Sequence, residues 1–143
     1  IVAFNQCSLV YYSDYYRQCR GKAGTNVVFV GRIGHEDPLL RSAYKACRCF
    51  VSQGWFETPG LAALEAGIAG VNIATTDKGC TKEYFKDFAE YFDPGNIAGI
   101  RRATEKAFYK EKSKLLKERI EKEFLWSSAA KKNIDVYKKI LKI

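Results

Sequence analysis

The chain has 143 residues, of which 47% are hydrophobic and 14% aromatic, and this composition excludes an intrinsically disordered protein. No apolar run approaches the roughly 18 residues that a membrane-spanning helix needs. The formal net charge of +8 comes entirely from residues 101–143, which hold 14 Lys and Arg against 6 Asp and Glu. Because the chain begins with Ile1 and contains no Met, we expect it to be part of a longer polypeptide.

Hydrophobic periodicity and turn residues predict alternating strands and helices along most of the chain. This alternation indicates an α/β fold, in which a parallel sheet with right-handed crossovers is flanked by helices, with a helical C-terminus. The expected strands are residues 1–4, 27–30, 49–51, 71–74 and 90–92. The expected helices are residues 11–22, a helix from Pro38 with Asp37 as its cap, 61–69, 82–88, two basic helices between 97 and 124, and a last helix from Ser127.

Three of these elements carry expectations about packing. Residues 27–30 form a continuous apolar run, as in parallel strands that are buried on both faces. The helix before that run is expected to turn Tyr15, Tyr16 and Cys19 toward the sheet. The last helix has an apolar face at helical spacing, which consists of Ala130, Ile134, Tyr137 and Leu141.

The most informative stretch is residues 56–70, Phe-Glu-Thr-Pro-Gly-Leu-Ala-Ala-Leu-Glu-Ala-Gly-Ile-Ala-Gly. A Pro-Gly turn precedes a run of good helix formers, and Gly70 is placed to end that helix in a left-handed conformation. The first turn of a helix presents unpaired N–H groups and the positive end of the helix dipole. The amides near Gly60 and Leu61 would therefore suit a phosphate, and Gly60 has no side chain to block its approach.

Two carboxylates, Glu57 on the loop and Glu65 in the helix, flank this predicted anion site. Glu65 could accept hydrogen bonds from the hydroxyls of a ribose and Glu57 from hydroxyls on the other side, so the pair suits a phosphate joined to sugars. Glu65 lies among apolar residues, and no Lys or Arg occurs between positions 49 and 77, so a ligand is a natural partner for it. The alternative is that Glu57 only stabilises the helix dipole and that Glu65 is a solvated helix residue.

The segment Glu57-Thr-Pro-Gly-Leu-Ala-Ala-Leu-Glu65 resembles the Glu-x7-Glu signature of the retaining GT-B glycosyltransferases known as glycosyl transferases group 1. The resemblance continues in order from residues 26–32 before the motif to residues 124–128 and Tyr137 after it. It departs from the family at Thr58 and Pro59, which stand where a Gly and an aromatic residue are usual. The resemblance therefore defines the fold better than it defines the sugar pocket.

Membership of this family would imply one half of a GT-B fold. Residues 1–123 would form a Rossmann-like donor-binding domain whose N-terminal part is missing. Residues 124–143 would form a helix that packs toward an N-terminal domain absent from this chain. The implied reaction moves a sugar, with retention, from a UDP- or GDP-linked donor to a glycan or lipid-linked acceptor, without a cofactor or a metal ion. The isolated chain should then be inactive.

The resemblance also assigns roles to individual residues. Glu57 would be the catalytic residue at the donor sugar, and Glu65 would bind the ribose of the nucleotide. Arg32 would lie either at a phosphate or on the surface. The remaining donor-binding residues would be Gly31 and Ile33 beside the base, Gly60 and Leu61 at the distal phosphate and sugar, and Thr58 next to Glu57.

Two other functions stay open on the sequence. One is a nucleotide-sugar epimerase or a polysaccharide phosphorylase with the same layout, of which the phosphorylase would hold pyridoxal phosphate on a lysine. The other is a non-catalytic module that docks on an anionic membrane surface through the basic helices of residues 101–143. Nucleic acid is not an expected partner, because no recognised binding motif accompanies the positive charge.

The five cysteines, Cys7, Cys19, Cys47, Cys49 and Cys80, are odd in number and mostly lie in apolar segments. We expect them to be buried free thiols of a protein in the reducing cytoplasm. The spacing of the central Cys-Arg-Cys segment is not that of a zinc or redox site, and the chain has a single histidine. The sequence thus predicts no metal site and a cytoplasmic protein, with peripheral membrane contact as an option.

Overall fold

A computed structural model of the chain describes residues 2–4, 13–31 and 33–142. The chain divides into two compact units, Ile1–Ala43 and Tyr44–Ile143. The expected boundary between residues 123 and 124 concerns packing toward a domain outside this chain, and it stays a prediction.

The first unit contains two short parallel strands and a helix. The register joins Val2 to Val28 and Ala3 to Phe29. Its elements are β1, Val2–Phe4, α1, Ser13–Lys22, and β2, Val28–Gly31. The next helix, α2, covers Pro38–Ala46 and begins at the expected residue. The Asp37 carboxylate accepts a hydrogen bond from the N–H of Leu39 at 2.9 Å, which confirms the predicted cap.

Only one face of β2 is covered by α1. The ring of Tyr16 meets that of Phe29 edge-on, with the ring centroids 5.6 Å apart. Tyr15 is 68% exposed, so its expected place against the sheet is wrong. Val28 and Val30 are 54% and 40% exposed, which also corrects the expectation of a strand buried on both faces. Successive side chains of a strand point to opposite faces, so a helix on the side of Phe29 leaves both valines open.

The second unit is built on a three-stranded sheet, in which the strands lie side by side in the order of the chain. Val51 pairs with Ala74 and Ala74 with Glu90, and all pairs are parallel, as predicted. The carboxyl ends of the three strands therefore meet at one edge. The strands are β3, Cys49–Ser52, β4, Asn72–Thr76, and β5, Ala89–Phe92. The helices are α3, Leu61–Ile68, α4, Thr81–Phe85, extended by a 3-10 turn at Lys86–Phe88, α5, Ile97–Tyr109, α6, Leu115–Glu123, and α7, Trp126–Leu141.

Small residues let the helices approach the sheet and each other closely. A buried cluster joins the sheet to α5, and its members are Ala74, Phe92, Ala103 and Ala107. Helix α3 lies against α6, where a Cβ on Gly67 would come within 2.6 Å of Cδ1 of Ile120. A larger residue at position 67 would require the ends of the Ile120 and Leu116 side chains to shift, so the glycine allows this close approach.

Helix α7 confirms the predicted helical C-terminus, and none of its residues is buried. On the expected apolar face, Ile134 is 51% exposed and Tyr137 and Leu141 are both 64% exposed. Within the part of the chain that the structure describes, no helix is both long and apolar enough to cross a membrane.

Glu90 joins β5 to α5 through two lysines. Its carboxylate lies 2.7 Å from Nζ of Lys106 and 3.1 Å from Nζ of Lys110, and its side chain is 12% exposed. Burial alone would raise the pKa of Glu90, but hydrogen bonds from both lysines outweigh burial and lower it. Glu90 therefore stabilises the fold above the ordinary carboxylate pKa, and this contribution is lost as the pH falls through the lowered value.

We expect Glu90→Gln to reduce the free energy of unfolding by about 1–3 kcal/mol near neutral pH, because the charge-assisted hydrogen bonds are lost. Urea denaturation at about pH 7 and about pH 3 should show that the difference from wild type shrinks in acid. The control is Glu105→Gln, since the Glu105 pair with Arg101 is largely exposed and should contribute little. An equal difference at both pH values would contradict the assignment.

Candidate functional site

The loop between β3 and α3 is held by the loop that follows β4. The N–H of Glu57 donates to the carbonyl of Lys78 at 3.4 Å, and the N–H of Cys80 donates to the carbonyl of Glu57 at 3.0 Å. Gly79, with a φ of +87°, lies between these two partners, and a Cβ there would collide with the carbonyl oxygen of Glu57. The backbone of Glu57 is thereby fixed near the carboxyl edge of the sheet.

The carboxylate of Glu57 is fixed in turn by the end of β3. Ser52 donates its hydroxyl to Oε1 of Glu57 at 2.8 Å. A Cβ on Gly54 would lie 2.7 Å from the same oxygen, so a side chain there would displace the carboxylate. A Cβ on Gly60 would lie 3.6 Å from Oε2. The carboxylate therefore sits beside the N-terminus of α3.

Gly60 caps α3 in a left-handed conformation, with φ 68° and ψ 55°, and no side chain caps the helix. Its carbonyl accepts hydrogen bonds from the N–H groups of Ala63 and Leu64 at 2.9 and 3.1 Å. The N–H groups of Leu61 and Ala62 precede these first hydrogen bonds of the helix, and N–H groups in such positions favour an anion. The nearby Glu57 carboxylate would repel a free phosphate, so this end suits a phosphate esterified to a sugar whose hydroxyls Glu57 can bind.

Glu65 lies one turn further along α3 and is half-buried. Tyr44 donates its hydroxyl to Oε2 of Glu65 at 3.2 Å. The alternative of a simply solvated Glu65 is therefore wrong. Part of the hydrogen bonding that the sequence argument assigned to a ligand comes from the protein itself.

The structure brings Glu57, Gly60 and Leu61 together at the start of α3, with Glu65 in the same helix. Thr58 is exposed next to Glu57, and the peptide between Thr58 and the following proline is cis. Four of the predicted binding residues and the predicted catalytic residue thus share one end of the second unit.

The remaining predicted residues belong to the first unit. Gly31 ends β2 with a φ of +72°, and Ile33 follows it in the loop and is half-buried. Both lie in the first of the two compact units. Arg32 lies outside the described residues. The assignment of this loop to the base of a nucleotide stays a prediction.

Several residues that build the site had no role predicted from the sequence. Tyr44 is 21 positions from Glu65 and Ser52 is five positions from Glu57, and only the tertiary structure pairs them. Trp55 and Phe56 directly precede Glu57 and are 74% and 68% exposed. The sequence shows two aromatic residues directly before an acid, and the structure shows that both are exposed, as in a binding surface.

The cysteines differ in burial from the sequence expectation. Four of them, Cys19, Cys47, Cys49 and Cys80, are free thiols and are half-buried instead of buried, and Cys7 lies outside the described residues. Burial raises the pKa of Cys49 to about 11, so its thiol stays protonated. Among residues 2–4, 13–31 and 33–142, no group of three or more His, Cys, Asp or Glu is placed to hold a metal ion.

Comparisons with known proteins agree with this architecture. The family model described as Glycosyl transferases group 1 matches residues 18–137. Among curated proteins, none is significantly similar in sequence. The solved structure of sucrose-phosphate synthase from Thermosynechococcus elongatus matches with a TM-score of 0.79 at 20% identity, covering 99% of this chain and 38% of that chain. This likeness confirms the predicted fold class, a Rossmann-like α/β domain of GT-B type, and the chain spans 38% of the length of that synthase.

Proposed function

The chain belongs to the glycosyl transferases group 1, and from that premise we propose that it is the donor-binding domain of a retaining glycosyltransferase. The enzyme would transfer a sugar from a UDP- or GDP-linked donor to a glycan or lipid-linked acceptor. The observation that carries this proposal is the N-terminus of α3, which no side chain caps, with the Glu57 carboxylate beside it and Glu65 in the same helix. An anion site between two carboxylates suits a phosphate that links two sugars.

The arrangement gives each group a separate task. The N–H groups at Gly60 and Leu61 bind the distal phosphate and stabilise the charge that develops on the leaving diphosphate. Glu65 accepts hydrogen bonds from the ribose hydroxyls. Glu57 accepts hydrogen bonds from the donor sugar and is the catalytic residue in this proposal. Thr58 borders that sugar, and the loop of Gly31, Arg32 and Ile33 lies at the base.

The proposal includes an N-terminal domain of the same polypeptide, which would supply the other wall of the cleft and the acceptor site. The exposed apolar side chains of α7 support such a contact, because apolar residues at helical spacing are usually covered. They are Ile134, Tyr137, Ile140 and Leu141. The proposed location is the cytoplasm.

Contact of the basic helices with an anionic membrane is less well supported. Lys110 pairs with Glu90, the ammonium of Lys112 donates to the carbonyl of Cys47 at 3.0 Å, and Lys117 lies 3.7 Å from Glu121. These lysines therefore have partners within the protein. Membrane docking remains a prediction for this surface.

The test of the proposed function is binding of UDP, GDP and ADP to the full-length polypeptide by calorimetry. We expect one nucleotide to be preferred and Glu65→Gln to weaken it by about 1.5–3 kcal/mol, because hydrogen bonds to a charged carboxylate are lost. This corresponds to roughly 10- to 150-fold in Kd. Glu118→Gln, at an exposed position of α6, serves as the control and should bind normally. Equal binding by wild type and Glu65→Gln, or no binding by either, would contradict the proposal.

A further inference from the structure

Tyr44 is placed to hold the carboxylate of Glu65. Its side chain is only 8% exposed, although it ends in a polar hydroxyl. The ring packs edge-on against Phe50 of β3, with the ring centroids 5.9 Å apart and the ring planes at 67°. The hydroxyl reaches Oε2 of Glu65 at 3.2 Å. The packing of the ring thus fixes the point from which the hydroxyl donates.

The hydrogen bond between Tyr44 and Glu65 has a defined direction. Burial, and then the negative charge of Glu65, raise the pKa of Tyr44 well above its ordinary value. The phenol is therefore protonated at physiological pH, and it donates to the carboxylate. Since the donor does not titrate, the orientation that it imposes on Glu65 does not change with pH in the neutral range.

A carboxylate held in this way can still bind a ligand. An ionised carboxyl group has about four lone-pair positions, and the Tyr44 hydroxyl occupies one on Oε2. A glutamate side chain has several rotatable bonds, and ordering such a side chain on binding costs about 0.5–1.5 kcal/mol. A carboxylate that is already ordered by Tyr44 does not lose this freedom when the ligand arrives.

We propose that Tyr44 is a positioning residue of the donor site, which holds the Glu65 carboxylate ready for the two hydroxyls of a ribose. This inference rests on the proposed function, since it takes the ligand to be a nucleoside diphosphate. As a positioning residue, Tyr44 contributes to affinity only when the ligand has ribose hydroxyls. A tyrosine with a purely structural role would contribute equally with and without them.

The experiment compares Tyr44→Phe with wild type in the full-length polypeptide, using UDP and GDP and their 2′,3′-dideoxy forms as probes. The variant keeps the ring against Phe50 and removes only the hydroxyl. We expect the affinity of the preferred nucleotide to fall about 2- to 10-fold, because the Glu65 side chain must then be ordered when the ligand binds. The dideoxy form should bind Tyr44→Phe and wild type equally. In a Glu65→Gln background, Tyr44→Phe should have little further effect.

Tyr91→Phe is the matched control, because the half-buried Tyr91 also donates its hydroxyl within the protein, to the carbonyl of Lys86 at 2.6 Å. This variant should bind both forms like wild type. Equal weakening of the ribose and dideoxy forms by Tyr44→Phe would make Tyr44 structural and overturn the inference. Unchanged UDP and GDP binding in Tyr44→Phe, with Glu65→Gln still weakened, would overturn the inference alone. No discrimination between ribose and dideoxy forms by wild type would overturn the ribose role of Glu65 as well.

Discussion

Glu57→Gln is expected to reduce sugar transfer by the full-length enzyme by roughly 10²- to 10⁴-fold. In the proposed site the variant loses two charge-assisted hydrogen bonds to the donor sugar, and each is worth about 1.5–3 kcal/mol. The amide keeps the size of the carboxylate but not its charge, and Ser52 can still hydrogen-bond to it. Because we propose that Glu57 interacts mainly with the reacting sugar, we expect kcat to fall more than the donor KM rises. Steady-state kinetics with the nucleotide-sugar measures both.

The comparison that isolates the role of Glu57 uses Glu83→Gln, at an exposed acid in α4, which should keep wild-type kinetics. Glu57→Gln should also retain binding of the free nucleoside diphosphate, which lacks the donor sugar. Normal turnover by Glu57→Gln would place the carboxylate outside the reaction. Loss of nucleotide binding in this variant would instead assign Glu57 to the nucleotide.

Gly79→Ala is expected to lower the free energy of unfolding by about 2–4 kcal/mol. The backbone of Gly79 has a φ of +87°, which costs an L-residue about 1–2 kcal/mol. In addition, the new Cβ would collide with the carbonyl oxygen of Glu57 and lie 3.0 Å from its nitrogen. The loop that carries Glu57 would have to move away, breaking the hydrogen bond from Cys80. Urea denaturation measures the loss of stability.

Gly70 offers the matched control for this prediction. It ends α3 with a φ of +81°, but no atom lies within 4 Å of the position that its Cβ would take. Gly70→Ala should therefore cost only the backbone term, about 1–2 kcal/mol. Equal losses in the two variants would show that the contact between Gly79 and Glu57 does not matter. A fold-competent Gly79→Ala should also transfer sugar more slowly than Gly70→Ala.

Much of the second unit could be predicted from the sequence. Its three strands occur within two residues of the expected ends, because turn residues or polar loops bound each of these short segments. The end of α3 at a left-handed Gly70 was also predictable, since glycine tolerates positive φ. The packing of the first unit was harder to predict from the sequence. An apolar run shows that a strand can be buried, but it does not show which of its faces a helix will cover, as the exposed Val28 and Val30 demonstrate.

The candidate site likewise contains residues that could be predicted from the sequence and others that could not. Glu57, Gly60 and Glu65 could be identified because they lie close together in the sequence, on a loop and a helix whose local geometry is predictable. The partners that orient the two carboxylates could not. Tyr44 meets Glu65 only through the tertiary structure of the second unit, to which both belong, and Ser52 reaches Glu57 because the loop folds back on β3. Such contacts depend on the packed structure rather than on spacing.

The most direct test of this account is a crystal structure of the full-length protein with its preferred nucleoside diphosphate bound. We expect the ribose hydroxyls to lie within about 2.6–3.2 Å of the Glu65 carboxylate and the distal phosphate to lie against the N–H groups of Gly60 and Leu61. A nucleotide seated elsewhere, for example in the cleft lined by Asp77, Arg102 and Lys106, would contradict it.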